Sequence, residues 1–251
     1  MKSARKDWMF LGVFWVLFTV IGLVMVWKLQ LLPAGYSTEA EVGDEAYKLL
    51  IALAVPIFAG VCAALLTILI RQVDKHTSDE VETQDGPAVL THKKLVPAWV
   101  GVSAVLAIGL AVDPGFIGLR DMRGESKADI VVYVQAQRWS WKFTYDEAGT
   151  EVSTTELVLP IDQRVLFDIT SVDIIHSFWV PGFRTKLDAV PGRHTKLYIT
   201  PDALGDGNID STLRVQCAEL CGISHSTMMA PIRIVSEADF EAWLASIRKE
   251  A

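Results

Sequence analysis

Two thiols, an imidazole and a thioether fall within twelve residues of this chain, in Cys217-Ala-Glu-Leu-Cys221-Gly-Ile-Ser-His225-Ser-Thr-Met228. Sulfur and imidazole donors in one short stretch select copper, zinc or iron-sulfur chemistry over magnesium or calcium. Two other readings stay open on these residues. A Cys217–Cys221 disulfide suits an oxidising compartment, but it leaves His225 and Met228 without a role. A zinc site uses Cys and His but rarely a thioether. A pair of copper ions needs at least one more imidazole, because two thiolates, one His and one Met cannot complete two metal centres. Of the five histidines, His76 and His92 lie in a polar stretch between apolar runs, so His176 and His194 remain as sources of that imidazole.

The elements that must hold these residues are β-strands. From Ala128 onward the sequence alternates with period two between turn residues: 129–137, 156–160, 163–170, 195–200 and 212–216 read as short strands. Strands separated by Gly, Pro, Asp and Asn turns indicate an all-β sandwich or barrel of roughly a hundred residues rather than alternating β and α units. The exception is the C-terminal stretch, where Ser236 precedes Glu237 and Asp239, and Phe240, Trp243, Leu244 and Ile247 follow at helical spacing. That pattern predicts a capped amphipathic helix packed on the sandwich.

Upstream, the composition changes. Residues 8–27, 49–70 and 95–112 are three uncharged apolar runs, each close to the roughly 20 residues that cross a bilayer. The first begins at Trp8 and ends at Trp27, as suits the two membrane interfaces. A cleaved signal peptide is the alternative for this run, but its apolar part is long and Leu31, Leu32 and Pro33 follow it. Pro56 interrupts the second run, which membrane helices tolerate. Basic residues mark the side: Lys2, Arg5 and Lys6 precede the first run, and Arg71, Lys75, Lys93 and Lys94 lie between the second and third, whereas Glu39, Glu41, Asp44 and Glu45 lie between the first and second. The N-terminus is therefore expected in the cytoplasm and everything after about residue 120 outside. Residues 1–120 form the membrane anchor on this reading and residues 121–251 the exported domain, in a bacterial inner (plasma) membrane. A formal net charge of −7 supplies no basic surface for nucleic acid.

The stretch Cys217 to Met228 fits C-x-E-x-C-G-x-x-H-x-x-M, and with Asp173-Ile-Ile-His-Ser-Phe-Trp-Val-Pro and Lys186-Leu-Asp-Ala-Val-Pro-Gly-Arg193 it resembles cytochrome c oxidase subunit II. The aromatic run Gln137-Arg-Trp-Ser-Trp-Lys-Phe-Thr-Tyr145 is similar to that family's tryptophan-rich segment. The resemblance implies a cupredoxin-like Greek-key sandwich holding the dinuclear copper centre CuA. It assigns Cys217 and Cys221 as bridging thiolates, His176 and His225 as terminal imidazoles, Met228 as a weak axial ligand and the main-chain oxygen of Glu219 as another. It further implies a magnesium or manganese ion shared between the Glu219 carboxylate and subunit I, electron intake at Trp139, and donor docking near Asp188, with His194 outside the site. The implied partners are subunit I and the other oxidase subunits, cytochrome c or another membrane-bound donor, and the lipid membrane. The implied activity is electron delivery to haem in subunit I, where oxygen is reduced to water with proton pumping.

Some features depart from the pattern. The helix at 8–27 is additional to the family's common two, the run Thr91-His-Lys-Lys-Leu-Val-Pro97 lacks the usual proton-loading glutamate, and Arg138 replaces the usual glutamine before the first tryptophan. No C-x-x-C-H occurs, so no covalently attached haem c is expected in this chain. Two alternatives remain: the CuA subunit of a nitric oxide reductase, and a membrane-anchored copper chaperone. A chaperone is expected on a thioredoxin-like βαβ scaffold, which the strand pattern disfavours. For the topology, a cysteine reporter at Ser78 should label only from the cytoplasm and one at Asp206 only from outside; the reverse labelling would overturn the assigned orientation.

Overall fold

The computed structural model describes residues 2–75, 93–123, 127–147 and 150–250. His76, Ser78 and His92, with most of the polar segment around them, lie outside the described residues. The chain divides into two compact units: Met1–Leu31 with Glu45–Gly115, and Leu32–Asp44 with Phe116–Ala251.

The first unit is helical. Helix α1 spans Lys2–Lys28, α2 Thr38–Lys75 and α3 Leu95–Leu110. Among the described residues, three stretches are long and apolar enough to cross a membrane, Trp8–Lys28, Thr38–Ile70 and Leu95–Arg120. Two bounds differ from the expectation. The second helix starts at Thr38 rather than Leu49, because the intervening Glu, Ala, Lys and Tyr residues are ordinary helix formers and need no apolarity to continue it. The third does not stop at Val112: a π turn over Ala111–Phe116 leads into α4, Ile117–Arg123. Pro114 brings no N–H and Asp113 leaves helical geometry (φ −140°, ψ 120°), so the helix kinks there and resumes. Helices α1 and α2 approach closely. A Cβ on Gly22 would come within 2.7 Å of Val55, and Trp15 Nε1 donates to the Pro56 carbonyl at 2.7 Å.

The second unit is a β-sandwich-like domain followed by a helix. Its strands are β1 Ile130–Gln137, β2 Ser140–Glu147, β3 Thr150–Thr154, β4 Leu157–Pro160, β5 Val165–Ser171, β6 His176–Val180, β7 Thr185–Ala189, β8 Thr195–Ile199, β9 Gly205–Asp206, β10 Arg214–Cys217 and β11 Met229–Val235; helix α5 is Glu237–Glu250. One sheet has the order β3-β2-β1-β5-β8, the other β4-β11-β10-β6-β7 with β9 on β11. Both are mixed, since β1 pairs β5 in parallel and β4 pairs β11 in parallel.

Period-two burial builds the core. Val165, Phe167, Ile169 and Ser171 of β5 point inward, as do Val132, Val134 and Ala136 of β1. Facing residues include Phe178, Val180, Val215, Ile232 and Ile234 of the second sheet. The aromatic run on β2 is core: Trp141, Phe143 and Tyr145 are all buried. Helix α5 covers one end as its apolar spacing requires, with Trp243 edge-on to Tyr145 at 5.2 Å. The Ser236 hydroxyl caps it, accepting from the Asp239 N–H at 3.2 Å.

The segment Leu32–Asp44, which includes the first residues of α2, belongs to this unit. Tyr36 donates to Asp210 at 2.8 Å, buried Glu39 accepts from the Thr200 N–H at 2.9 Å, and Arg184 clasps Asp44 through Nε at 2.7 Å and Nη2 at 3.2 Å. Burial pushes the Tyr145 hydroxyl well above the usual tyrosine range, so it stays protonated and serves Val158 twice, donating to its carbonyl at 2.9 Å and accepting from its N–H at 3.0 Å. Tyr145→Phe strands both backbone groups in the core and should cost about 2 kcal/mol, read as a lower denaturant midpoint at unchanged slope.

Candidate metal centre

The twelve-residue stretch is the loop that joins β10 to β11, two neighbouring antiparallel strands. Its ends are closed by the Cys217 N–H donating to the Met228 carbonyl at 3.1 Å, and the loop is tied to β6 by the Ala218 N–H donating to the Ser177 carbonyl at 3.0 Å. A 3-10 turn over His225–Thr227 brings the chain back. Gly222 has φ +120°, a left-handed conformation that favours glycine, and a Cβ there would also press on the Trp139 ring at 3.2 Å. Strand β6 lies beside β10, with Cys217 opposite Phe178, so His176 at its first position reaches the same place.

Donor atoms converge there. Cys217 Sγ is 3.7 Å from His176 Nδ1, 3.7 Å from Cys221 Sγ and 3.1 Å from the Glu219 carbonyl oxygen. Cys221 Sγ is 3.5 Å from His225 Nδ1 and 3.8 Å from Met228 Sδ. His176, Cys217 and Cys221 form a buried group whose ligand atoms all lie within 4.8 Å of one another. A metal bonded to sulfur at about 2.3 Å and to imidazole at about 2.0 Å, with a near-tetrahedral angle, sets S and N about 3.5 Å apart. The sulfur–nitrogen spacings here fit that. Both cysteines are free thiols, which excludes the disulfide reading for this conformation.

The surroundings explain the geometry. Asp173 Oδ1 faces His176 Nε2 at 2.9 Å. Burial opposes the charge of this carboxyl, but hydrogen bonds from the Arg138 backbone, His176, the Ile174 backbone and the Arg138 side chain hold it well below the usual carboxylate range. A carboxylate accepts only, so Nε2 carries the proton and the lone pair of Nδ1 points at sulfur. Burial and the neighbouring Cys217 push the metal-free Cys221 thiol up to about 11. Trp141 Nε1 reaches the Met228 carbonyl at 3.4 Å, and its ring stands edge-on to His176 at 6.3 Å.

The other sequence-derived residues fall outside the donor cluster. Trp139 is 38% exposed in the turn between β1 and β2, and its Nε1 donates to the Cys221 carbonyl at 3.2 Å. The Glu219 side chain is exposed on the loop and Asp188 is exposed on β7. His194 is exposed and pairs with Asp168 at 2.5 Å, away from the cluster. Sequence reasoning missed Asp173 and Trp141. The Asp-x-x-His spacing signals the first, whereas an aromatic on a strand gives no sign that it will back a metal ligand.

Residues 150–236 match the model of the cytochrome c oxidase subunit II periplasmic domain. The chain belongs to the cytochrome c oxidase subunit II family. It is 33% identical to cytochrome c oxidase subunit 2 of Bacillus subtilis over 51% of this chain and 36% of that protein. It is 32% identical to probable cytochrome c oxidase subunit 2 of Rickettsia bellii over 66% of each. A solved structure of the periplasmic domain of cytochrome oxidase subunit II from Bradyrhizobium japonicum is 27% identical, with TM-score 0.44 over 49% of this chain and 96% of that one. The chain thus spans between about one third and two thirds of the length of these curated relatives. In a family whose members carry a copper centre, the His176, Cys217 and Cys221 group has the donor chemistry for that metal.

The ligand ranking is testable. Cys217→Ser and Cys221→Ser should abolish stable copper loading, while Met228→Leu should keep it and shift the potential, since a weak axial thioether tunes a copper site. Equal copper loss in all three variants, by elemental analysis, would contradict the ranking.

Proposed function

We propose that this chain is the electron-accepting subunit of a haem-copper oxidase, with a dinuclear copper centre of the CuA type held in an exported cupredoxin domain, residues 121–251, and three N-terminal helices crossing the bacterial inner membrane. The observation that carries this reading is the convergence of two cysteine sulfurs, two imidazole Nδ1 atoms, a thioether sulfur and a carbonyl oxygen on one closed loop and one neighbouring strand. One metal ion does not use six donors of this kind in which two sulfurs stand between two imidazoles. Two ions sharing the thiolates do. Cys217 and Cys221 would bridge, His176 and His225 would bind one ion each, and Met228 and the Glu219 carbonyl would complete the set. When bound, such a centre would take up one electron at a time from cytochrome c or a similar donor, share its charge over both ions, and give it on to haem in subunit I.

The chain's own residues make that exchange easy. The loop ends are fixed by backbone hydrogen bonds, His176 is fully buried and held by Asp173, and Met228 lies in the core. Ligands that cannot move keep their places when the charge of the site changes. Water is excluded on the inner side by Trp141, Phe178 and Met228. Trp139 bridges solvent and the Cys221 carbonyl, which suits it to donor contact. Exposed Glu219 suits a magnesium or manganese ion at the subunit I boundary, and exposed Asp188 suits donor docking. The oxygen-reducing or nitric-oxide-reducing site would lie in the partner subunit. A copper chaperone is disfavoured because the β-sandwich buries four of these donors, where delivery needs exposed ones.

The full chain, purified in detergent and given copper, should bind two copper ions, turn purple, and show a seven-line electron paramagnetic resonance pattern from one electron shared by two nuclei. One copper per chain, or a colourless zinc form, would sink the assignment.

Donor contact has a separate test. In the assembled complex, Asp188→Asn should raise the apparent KM and weaken the salt dependence as the Debye length falls from roughly 30 Å to 8 Å. Trp139→Gln should instead cut the rate of copper reduction in stopped flow at nearly unchanged donor affinity. Normal rates in the Trp139 variant would remove it from the electron path.

A further inference from the structure

Arg138 stands immediately before Trp139, and its contacts lead inward rather than to solvent. Its backbone N–H and its Nε both donate to Asp173 Oδ2, at 3.0 Å and 3.1 Å. The other carboxylate oxygen, Oδ1, accepts from the Ile174 N–H at 2.7 Å and faces His176 Nε2 at 2.9 Å. His176 Nδ1 in turn lies 3.7 Å from Cys217 Sγ. Guanidinium, carboxylate, imidazole and thiol therefore form one unbroken line. Exposure falls steeply along it, from 51% for the Arg138 side chain through 19% for Asp173 to 0% for His176.

The two ends of this line pull the ring in opposite senses. A carboxylate hydrogen-bonded to the far nitrogen of a metal-binding imidazole fixes its orientation and raises its basicity, and an electron-rich ligand favours the oxidised metal. A guanidinium on the other oxygen of that carboxylate draws its charge away and reduces this effect. The pair is held from both sides, since Arg138 is anchored by its own backbone as well as its side chain.

We propose that Arg138 and Asp173 are a pair of positioning residues that set the reduction potential of the metal centre through His176. Asp173 fixes the ring and lends it negative charge; Arg138 limits how much it lends. The inference rests on the copper reading above. The step concerned is uptake of one electron from a haem-bearing donor, with no bond made or broken. The positive charge of Arg138 favours the form holding the extra electron.

The test is a spectroelectrochemical titration of the full copper-loaded chain in detergent, with copper counted first. Arg138→Gln should keep two copper ions and a wild-type spectrum while the potential falls, by up to about tenfold in the electron-transfer equilibrium, or 59 mV for one electron. Arg138→Lys, which keeps the charge, should recover most of that shift. Asp173→Asn should raise the potential, and the double variant should depart from the sum of the two single shifts, as residues in contact do. An unchanged potential in Arg138→Gln, or strictly additive single shifts, would overturn the proposal. So would loss of copper from Arg138→Gln, which would make the pair a structural clasp only. If Asp173→Asn cannot load copper, the Arg138 series decides alone. A wild-type chain without two coppers would defeat the functional reading instead, and the count shows this before any potential is measured.

Discussion

The closure of the β10–β11 loop is the constraint on which the centre depends. A single backbone hydrogen bond, from Cys217 N–H to the Met228 carbonyl, returns the chain to its starting point after eleven residues. Without that return, two thiols, an imidazole and a thioether on a free loop would have to be ordered by the metal itself, at a conformational cost of about 1–2 kcal/mol for each backbone fixed. With it, the antiparallel pairing of two core strands has already met most of that cost. The second tie, from Ala218 N–H to the Ser177 carbonyl, places the loop against the strand that supplies the remaining imidazole.

The sandwich serves this loop by being rigid in the right place. Phe178 is opposite Cys217 in the ladder and packs edge-on against Trp141 at 5.8 Å, so the residue that anchors the sheet register also backs the donor group. Trp141 meets both the His176 ring and a loop carbonyl. Packing and ligand placement are one structure here. A disturbance of the core next to His176 is a disturbance of the centre.

Polar atoms are concentrated on the opposite, outward side. Asp173 collects hydrogen bonds from two backbone N–H groups, a guanidinium, an imidazole and the Ser171 hydroxyl at 3.3 Å. Its charge is thereby kept at the border of the core, where an unpaired carboxylate would be costly. The solvent-facing Trp139 sits beside this group and touches the loop directly. Chemistry that reaches the surface thus meets a fixed charge pair and a fixed aromatic ring rather than mobile side chains.

The sequence by itself determined what was local or periodic. Three apolar runs of membrane-spanning length, period-two strands, the Ser236 cap and the soft-donor spacing of Cys217, Cys221, His225 and Met228 all follow from residues close together in the chain. Spacing left the long-range imidazole open between His176 and His194, and only the family resemblance named His176. That His176 rather than His194 joins the cluster follows from strand order: β6 lies next to β10, whereas His194 precedes an edge strand of the other sheet. The continuation of the third helix past Asp113 escaped for a different reason, because a proline reads locally as a stop. Tertiary structure alone decided that Arg138 reaches Asp173, 35 positions away, since parallel pairing of β1 with β5 brings the end of one strand beside the end of the other. Spacing records which donors a loop carries; the ladder decides what they meet.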